Sequence, residues 1–530
     1  MVLGGGMVSR RAVLRGGLVS AAALAAGGVA CAPAPVPAAP ARGPVFTLGV
    51  ASGDPSPDGM VLWTRLARDP LAEDGLGGMP GGAASTVDVG WELATDQRFA
   101  EVVQRGTERT GAELGYAVHV EPVGLTPGRE YWYRFRVGSG PGAEISPVGR
   151  TRTAPVAPEL GALTMCFVSC ARYEHGLFTA YRRLAEDQPD LVLHLGDYSY
   201  EYAAGAKSSA PSARQVAGGE ERTLADYRRR YAQYHADPDL QAAHAVAPWL
   251  AVFDDHEVAD NWAGMVPSHP EPDFAGRRAA AFRAYFENLP LRAAARPSGP
   301  DMRLYRRVDW GALATFHMLD TRQYRGDQPC GDKYPTDCPE RTDPARSLLG
   351  PEQEAWLLDG FARSRARWDV LGQQVFLSQL DLTPGAGHSY NPDAWDGYVG
   401  QRDRVVNGWT RAGVRNPVVL TGDVHAHWAA EVKARFDDPA SPTVGTELIT
   451  TSIASGGDGS EQRPETAGVL ADNPHVRFFN NRRGYVRTTI TADTMTADFR
   501  VVPYVTRPGA PGETRARFVI ADRNAGLHLA

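Results

Sequence analysis

The chain has 530 residues, of which 43% are hydrophobic and 22% are charged, and its formal net charge at pH 7 is -7. This composition is typical of a globular enzyme long enough for two domains, and it excludes a disordered or fibrous protein. Because there is no long run of Lys or Arg, we expect no nucleic-acid-binding footprint. Beyond the N-terminal region, no apolar stretch approaches the roughly 20 residues that a membrane-spanning helix requires.

Residues 1–42 are predicted to be an export signal followed by an Ala/Pro-rich linker. Ser9-Arg10-Arg11-Ala12-Val13-Leu14 precedes a weakly apolar stretch ending near Ala30, and twin arginines in this setting indicate the Tat pathway. An ordinary Sec signal is the alternative, and both signals export the protein. Cys31 is a candidate for lipid anchoring, but Gly28-Val29-Ala30 is a poor lipobox, so we do not expect lipidation. We therefore predict a secreted or cell-envelope protein whose partner during export is the Tat translocase.

Four further cysteines need an explanation in an exported protein. Cys330 and Cys338 flank a short polar loop, and an oxidising compartment favours a local disulfide between them. Cys166 and Cys170 lie on one apolar run. An unpaired thiol at a strand end requires a function in such a compartment, and ligation of a metal is one.

Short alternating segments broken by Gly and Pro run from about Phe46 to Thr153, and this pattern predicts a small β-sandwich. Residues 87–93 and 131–137 are the clearest strands. Residues 124–131 resemble the loop that enters a late strand of fibronectin-like domains. We assign residues 43–155 to this sandwich domain and expect a linker at residues 153–158.

After the linker, buried strands alternate with longer helical stretches, which predicts an α/β layered domain over residues 156–530. The strands are expected at residues 163–169, 191–195, 249–253 and 418–420. The helices that cover them are expected at residues 180–186, 277–287 and 351–364.

Each of these four strands ends in a cluster of polar residues. The clusters are Cys170, Gly196-Asp197, Asp254-Asp255-His256-Glu257 and Thr421-Gly422-Asp423-Val424-His425. Strand ends hold thiolate, carboxylate and imidazole groups at rigid points, as a metal site requires. Asp197 is suited to bridge two metals, and Asp423 and His425 are close enough in sequence to reach neighbouring metals. Each pattern alone is common, but the four in this order indicate a dinuclear phosphoesterase.

The ordered motifs resemble those of the PhoD-like alkaline phosphatase/phosphodiesterase family. They are Cys170, residues 194–201, residues 253–257 with Asn261, and residues 421–425. Further similarity lies at residues 49–55, 319–325, 395–398 and 480–485, so the resemblance spans essentially the whole chain after the signal. It implies an N-terminal fibronectin/Ig-like β-sandwich followed by a four-layer α/β/β/α metallophosphoesterase domain.

The resemblance also implies a site that couples Fe³⁺ with Ca²⁺. Carried over position by position, the iron ligands are Cys170, Asp197, Tyr200 and His425. The calcium ligands are Asp197, Asp423 and either Asp255 or Asn261. Asp255 takes the ligand position of the Gly-Asn-His-Glu motif of simpler relatives, and spacing alone does not decide between it and Asn261. The ligand types agree with the chemistry, because thiolate and phenolate suit Fe³⁺ and oxygen ligands suit Ca²⁺.

Three residues near the motifs have alternative interpretations. His256 either protonates the leaving oxygen and stabilises charge, which makes it catalytic, or orients Asp255. Arg172 either neutralises phosphate oxygens as a catalytic residue or forms a structural ion pair. His427 is expected to be an exposed neighbour of the site, with a substrate contact as the alternative.

These observations predict an exported, metal-dependent hydrolase of phosphate mono- or diesters that uses a metal-activated hydroxide. We expect a monomer. A phospholipase D-like phosphodiesterase acting on lipids or cell-wall polymers is the nearest alternative. A purple-acid-phosphatase-like enzyme would lack Cys170 and use more histidines. A non-catalytic protein that binds phosphate esters or metal is the remote alternative.

Overall fold

The computed structural model of the protein describes residues 43–82, 84–207, 210–438 and 440–530. The predicted export signal, the linker that follows it and Cys31 therefore lie outside the described residues.

The described residues of the N-terminal part form eight strands that belong to two different sheets. They are β1 Val50–Ser56, β2 Gly59–Arg65, β3 Thr86–Ala94, β4 Val102–Gly111, β5 Ala117–Val120, β6 Glu130–Val137, β7 Glu144–Ile145 and β8 Gly149–Arg152. β3 pairs with β4 and β6, and β6 also pairs with β7 and β8, all antiparallel. The strands predicted at residues 87–93 and 131–137 are confirmed as β3 and β6.

The alternation of buried and partly exposed residues along β6 explains how these strands pack. Tyr131, Tyr133 and Phe135 are buried, while the residues between them are partly exposed. The buried face joins one hydrophobic cluster with Leu62 of β2 and Val118 of β5. Because β1, β2 and β5 pair with one another rather than with β3 or β6, the cluster lies between two layers of strands.

Two larger sheets follow in the chain. Their strands are β9 Leu163–Val168, β10 Leu191–Leu195, β11 Pro248–Val252, β12 Arg306–Trp310, β13 Ala314–Met318, β14 Trp368–Gln373, β15 Pro417–Thr421, β16 His427–Lys433, β17 Thr443–Ile449, β18 Gly459–Ser460, β19 Val476–Ile490, β20 Thr494–Val502, β21 Glu513–Ala521 and β22 Asn524–Leu529.

The first sheet is built on the parallel strands β9, β10 and β11. β1 pairs with β11 in parallel, so the N-terminal strands β1, β2 and β5 extend this sheet at one edge. The antiparallel strands β19 to β22 extend it at the other edge. Strands on both sides of residue 155 therefore share one sheet.

The second sheet has the parallel strands β13, β14, β15 and β17, with β12 and β16 antiparallel at its flanks. β19 connects the two sheets, because its first residues pair with β16 and its last residues pair with β9. Every residue of β10, β11, β13, β14 and β15 is buried, as expected for parallel strands covered on both faces.

Helices cover both sheets, which makes this a mixed α/β fold rich in sheet. They are α1 Thr179–Glu186, α2 Leu224–His235, α3 Pro238–Ala245, α4 Phe274–Asn288, α5 Gly350–Arg363, α6 Val399–Ala412 and α7 Thr466–Asp472. α1 to α4 share a hydrophobic cluster with the first sheet, and α5 and α6 share another with the second. The helices predicted at residues 180–186, 277–287 and 351–364 are confirmed as α1, α4 and α5.

The state of the cysteines and the length of the apolar helices complete the description of the fold. The disulfide predicted between Cys330 and Cys338 is present, and Cys166 and Cys170 are buried free thiols. No helix in the described ranges combines the length and the apolar character needed to cross a membrane.

Candidate metal centre

The chain places one polar residue at the same point after each of four parallel strands. Cys170, Asp197, Asp254 and Asp423 each follow the last residue of β9, β10, β11 and β15, respectively, by two positions. Because the strands run parallel within each sheet, their carboxyl ends meet at one edge, and the side chains that follow them converge.

The backbone at these positions is unusual. Five of the predicted ligands lie in the left-handed region, with φ of 61° at Cys170, 57° at Asp197, 49° at Asn261, 60° at Asp423 and 54° at His425. For residues other than glycine this conformation costs on the order of 1 kcal/mol or more, and it clusters at functional sites. Surrounding contacts must hold it, for example the bond from the Cys170 N–H to the Gly196 carbonyl at 3.1 Å.

Gly196 is needed where two strand ends approach each other. Its φ is 103°, and a Cβ at this position would lie 2.4 Å from the Cβ of Asp254. Only glycine fits such a contact, so the Gly-Asp pair brings the Asp197 carboxylate beside the end of β11.

Side-chain donors gather in three overlapping groups. The groups are Cys170, Asp197 and His425; Asp197, Asp255 and His256; and Asp197, Asp254, Asp255 and Asp423. Within each group the candidate ligand atoms lie within 4.8 Å of one another. Asp197 belongs to all three, which is the position that a residue shared by two cations would occupy.

Tyr200 lies between two members of the first group. Its hydroxyl donates a hydrogen bond to Oδ2 of Asp197 at 2.7 Å and lies 3.0 Å from Nε2 of His425. The same oxygen accepts a hydrogen bond from Oγ of Ser455 at 2.9 Å. The phenol therefore lies beside the thiol and imidazole with which the sequence grouped it.

Asp255 and Asn261 lie next to each other. The backbone N–H of Asn261 donates to Oδ2 of Asp255 at 2.7 Å, and the Asn261 side-chain nitrogen donates to Oδ2 of Asp332 at 2.7 Å. Asp255 belongs to two of the donor groups, and Asn261 touches them through Asp255. Both remain candidates for the calcium ligand.

His256 contacts both the donor groups and a buried glutamate. Its Nδ1 lies 2.8 Å from Oε2 of Glu201, its Nε2 lies 3.9 Å from Oδ2 of Asp255, and its ring stacks on Tyr200 at 4.2 Å between centroids. Burial lowers the pKa of His256, but the carboxylates of Asp255 and Glu201 outweigh burial and raise it well above its usual value. The imidazole is thus held through Nδ1 in this cluster of carboxylates.

Arg172 is paired within the protein. Its Nη2 lies 3.2 Å from Oε2 of Glu174 and donates to the Ala206 carbonyl at 2.5 Å, and its guanidinium lies over the ring of Tyr202 at 4.6 Å. This is the structural ion pair that the sequence left open as an alternative. A direct contact of Arg172 with substrate stays a prediction.

His427 corrects one expectation, because it is buried rather than exposed. It is the first residue of β16, its Nδ1 accepts the Thr451 N–H at 3.1 Å, and its Nε2 lies 3.1 Å from the Arg500 carbonyl. The prediction was wrong because the second residue after the Asp-x-His motif is the first residue of a buried strand.

Two residues of the centre were not singled out from the sequence. The Asp254 carboxylate lies in the third donor group and accepts a bond from Nε of Arg322 at 2.5 Å. Nη2 of Arg322 lies 3.6 Å from Oδ1 of Asp255 and 2.8 Å from Oδ2 of Asp393. The signal for Asp254 was its place before Asp255, and the signal for Arg322 was its motif at residues 319–325.

The buried carboxylates of the centre favour the binding of cations. Burial raises the pKa of Asp197 and Asp423 well above their usual range and that of Asp254 to about 6, and neighbouring carboxylates add to the effect. Within the described ranges, Oδ1 of Asp197 and Oδ2 of Asp254 are buried without a hydrogen-bond partner. Buried, unpaired carboxylate oxygens are costly unless a proton or a cation neutralises them, so the donor set fits a metal centre.

One side of the centre is open. Cys170, Asp197, Asp254 and Asp255 are buried, whereas His256, Asn261, Asp423 and His425 are partly exposed. A substrate would approach from this second set.

Comparisons with known proteins identify the family of the chain. The PhoD-like phosphatase model matches residues 165–499, and the model of the N-terminal domain of PhoD-like phosphatases matches residues 30–155. Alkaline phosphatase D of Bacillus subtilis (strain 168) is 48% identical over 488 residues, which cover 91% of this chain and 82% of that protein.

Solved structures show the same relationship. A structure of PhoD superposes with a TM-score of 0.88 at 46% identity and covers 93% of each chain. The purple acid phosphatase PPD1 from yellow lupin seeds has a TM-score of 0.56 at 12% identity, covering 91% of this chain and 74% of that chain, and so shares the fold. The chain belongs to the PhoD-like phosphatase family.

Proposed function

We propose that the protein is an exported hydrolase of phosphate mono- or diesters that works at the metal centre around Asp197. The observation that carries this proposal is the convergence of a thiol, two imidazoles and four carboxylates at adjacent strand ends, with Asp197 common to every donor group. Membership of a phosphatase family and the likeness to alkaline phosphatase D support ester hydrolysis as the reaction.

We assign Fe³⁺ to Cys170, Asp197, Tyr200 and His425, and Ca²⁺ to Asp197, Asp423 and either Asp255 or Asn261. Thiolate, phenolate and imidazole on one side, and only oxygen donors on the other, support two cations of different character. When bound, such cations supply positive charge to the phosphoryl oxygens and lower the pKa of the attacking water.

His256 is the proposed general acid. Glu201 holds its Nδ1 at 2.8 Å, which leaves Nε2 on the partly exposed side of the centre as the atom that carries the transferable proton. Donation of that proton to the leaving oxygen would neutralise the alkoxide as the phosphorus–oxygen bond breaks. The contact with Glu201 stabilises the imidazolium before the transfer.

The finer architecture is also a proposal. We infer that residues 43–155 form a fibronectin/Ig-like β-sandwich with β1, β2 and β5 as its second layer, supported by the cluster between the two sets of strands. We infer a four-layer α/β/β/α domain for residues 156–530, supported by the separate packing of helices on each sheet.

Export by the Tat pathway remains part of the proposal. The twin arginines Arg10 and Arg11 support it, and the disulfide between Cys330 and Cys338 suits an oxidising compartment. We propose that the exported protein is a monomer.

The test is hydrolysis of nitrophenyl phosphate and bis-nitrophenyl phosphate by the purified protein, before chelation, after chelation and after calcium is restored. We expect cleavage that disappears with chelation and returns with calcium. The ratio of diester to monoester turnover then decides between phosphodiesterase and phosphatase. Absence of cleavage by protein that carries both metals would contradict the proposal.

A further inference from the structure

The loop closed by the Cys330–Cys338 disulfide, which we call the disulfide loop (residues 330–338), lies against the metal centre. Oδ2 of Asp332 in this loop accepts a hydrogen bond from the side-chain nitrogen of Asn261 at 2.7 Å. The backbone N–H of Asn261 in turn donates to Oδ2 of Asp255 at 2.7 Å. Two hydrogen bonds in series therefore connect the disulfide loop to a carboxylate of the centre.

The Asp332 contact fixes which way the Asn261 carboxamide points. A carboxylate only accepts hydrogen bonds, so it selects the amide nitrogen and turns the side-chain oxygen away from itself. In the part of the chain that the structure describes, no hydrogen bond to that oxygen is found. Asn261 is partly exposed, as are Asp423 and His425, so its side-chain oxygen is accessible to a cation.

The backbone of Asn261 is held separately from its side chain. Its φ is 49°, and its carbonyl accepts a bond from Nε2 of Gln328 at 2.9 Å, while its N–H is bound to Asp255. A left-handed asparagine persists only when several contacts determine it. Gln328 and Asp255 fix the main chain, so Asp332 is the residue that fixes the side chain.

The disulfide loop must hold its own strained conformation to present Asp332. Asp332 has φ of 56° and Cys330 has φ of 58°, and the Cys330 N–H donates to Oε2 of Glu340 at 2.9 Å. The disulfide closes this segment across eight positions. Opening the disulfide would release the loop from the conformation in which Asp332 reaches Asn261.

We propose that Asp332 is a positioning residue for the calcium half of the centre, acting through the Asn261 carboxamide, and that the Cys330–Cys338 disulfide holds Asp332 in place. The inference rests on the proposed metal centre with Asn261, rather than Asp255, as the calcium ligand, and it adds a residue to that centre. Asp332 belongs to none of the three donor groups, so it acts on the cation only through Asn261.

The test compares Asp332→Ala with Asp332→Asn by calorimetric titration of Ca²⁺ into protein freed of calcium. The alanine variant removes the acceptor, and we expect the calcium dissociation constant to rise about tenfold, as for other residues that orient metal ligands. The asparagine variant keeps an acceptor oxygen, so it should stay within about threefold of the wild type, well short of the alanine value. Equal weakening in both variants, or no weakening in alanine, would overturn the proposal.

The matched control is Asp337→Ala. Asp337 carries the same charge, lies in the same disulfide loop and is exposed, so its removal tests the effect of charge alone. We expect its calcium affinity to match the wild type. A weakening equal to that of Asp332→Ala would show that charge, rather than the hydrogen bond to Asn261, is what matters.

A second arm uses the double variant Cys330→Ser/Cys338→Ser. It should weaken calcium binding, and in the Asp332→Ala background it should add nothing, because both changes remove the same contact. Additive losses would contradict the link between disulfide and Asp332. Hydrolysis of nitrophenyl esters by the same wild-type sample tests the proposed function separately. Lack of turnover would contradict phosphate ester hydrolysis, while the calcium dissociation constants of the variants would still test the role of Asp332.

Discussion

Cys170 and Cys166 lie four residues apart and are both buried free thiols, but among the described residues only Cys170 lies in a group of donors that could hold a metal. Cys166 lies within β9, whereas Cys170 follows its end beside Asp197 and His425. Burial raises the pKa of both thiols well above the usual value. Cys170 would therefore ionise to a thiolate only when a bound cation stabilises its negative charge.

We predict that Cys170→Ala lowers iron content at least tenfold, on the order expected when a ligand or its support is lost, and removes any visible absorption from thiolate or phenolate bound to iron. Cys166→Ala is the matched control and should keep both. Elemental analysis and absorption spectra of the purified variants measure these effects. Equal iron content in the two variants would exclude Cys170 as a ligand.

These residues also show what the sequence could and could not predict. Cys170, Asp197 and Asp423 follow apolar runs directly, so a local pattern located them. Arg322 was not singled out, because its partners Asp254 and Asp393 are about 70 positions away and only the fold brings them together. His427 was predicted to be an exposed neighbour of the site, but it begins β16 and is buried.

Strands and loops from different sheets meet at Arg322. It follows β13 of the second sheet, while its partner Asp254 follows β11 of the first, and its other partner Asp393 precedes α6. The Arg322 side chain is fully buried. Coulombic attraction from Asp254 and Asp393 outweighs burial and keeps the pKa of Arg322 well above its usual value.

We predict that Arg322→Gln destabilises the protein by roughly 3–5 kcal/mol, because it leaves buried carboxylates without their counter-ion. The control is Arg363→Gln, which removes an ion pair with Asp359 whose arginine side chain is 75% exposed, and it should have no measurable effect. Urea unfolding of both variants tests the difference. Similar midpoints for the two variants would contradict a connecting role for Arg322.

The sequence pattern also did not predict the pairing of β1 with β11. Short alternating segments predicted the N-terminal strands β3 and β6 well, because alternation is local. The partner of β1 lies about 200 residues further along the chain, and no periodicity indicates it. Parallel pairing between such distant segments is decided by packing of the whole molecule.

Buried, neutral histidines make the stability of the whole molecule depend on pH. Burial lowers the pKa of His194 and His235 from 6.5 to about 3. Below pH 6.5 the unfolded chain binds protons at these sites while the folded chain does not. The unfolding free energy therefore decreases as the pH is lowered from about 6.5 to about 3. Each such histidine contributes a slope of about 1.4 kcal/mol per pH unit in this window.

We predict that His235→Gln reduces the pH dependence of the unfolding free energy between pH 6 and pH 4 by about one histidine's share, or about 1.4 kcal/mol per pH unit. Glutamine retains a donor for the Asn288 carbonyl, which His235 contacts at 2.8 Å. Denaturant titrations of chelated protein remove the separate effect of metal loss. Identical slopes in the variant and the wild type would exclude His235 as the source.

At the scale of the whole molecule, Asp197 is the one residue common to all three donor groups. The most direct test is therefore metal content and nitrophenyl ester turnover of Asp197→Ala, measured on the same preparation. We predict loss of both cations and a fall in turnover of at least about 100-fold, because each cation loses its shared ligand. A correctly folded variant that retains its metals and near-normal turnover would contradict the assignment of this centre as the active site.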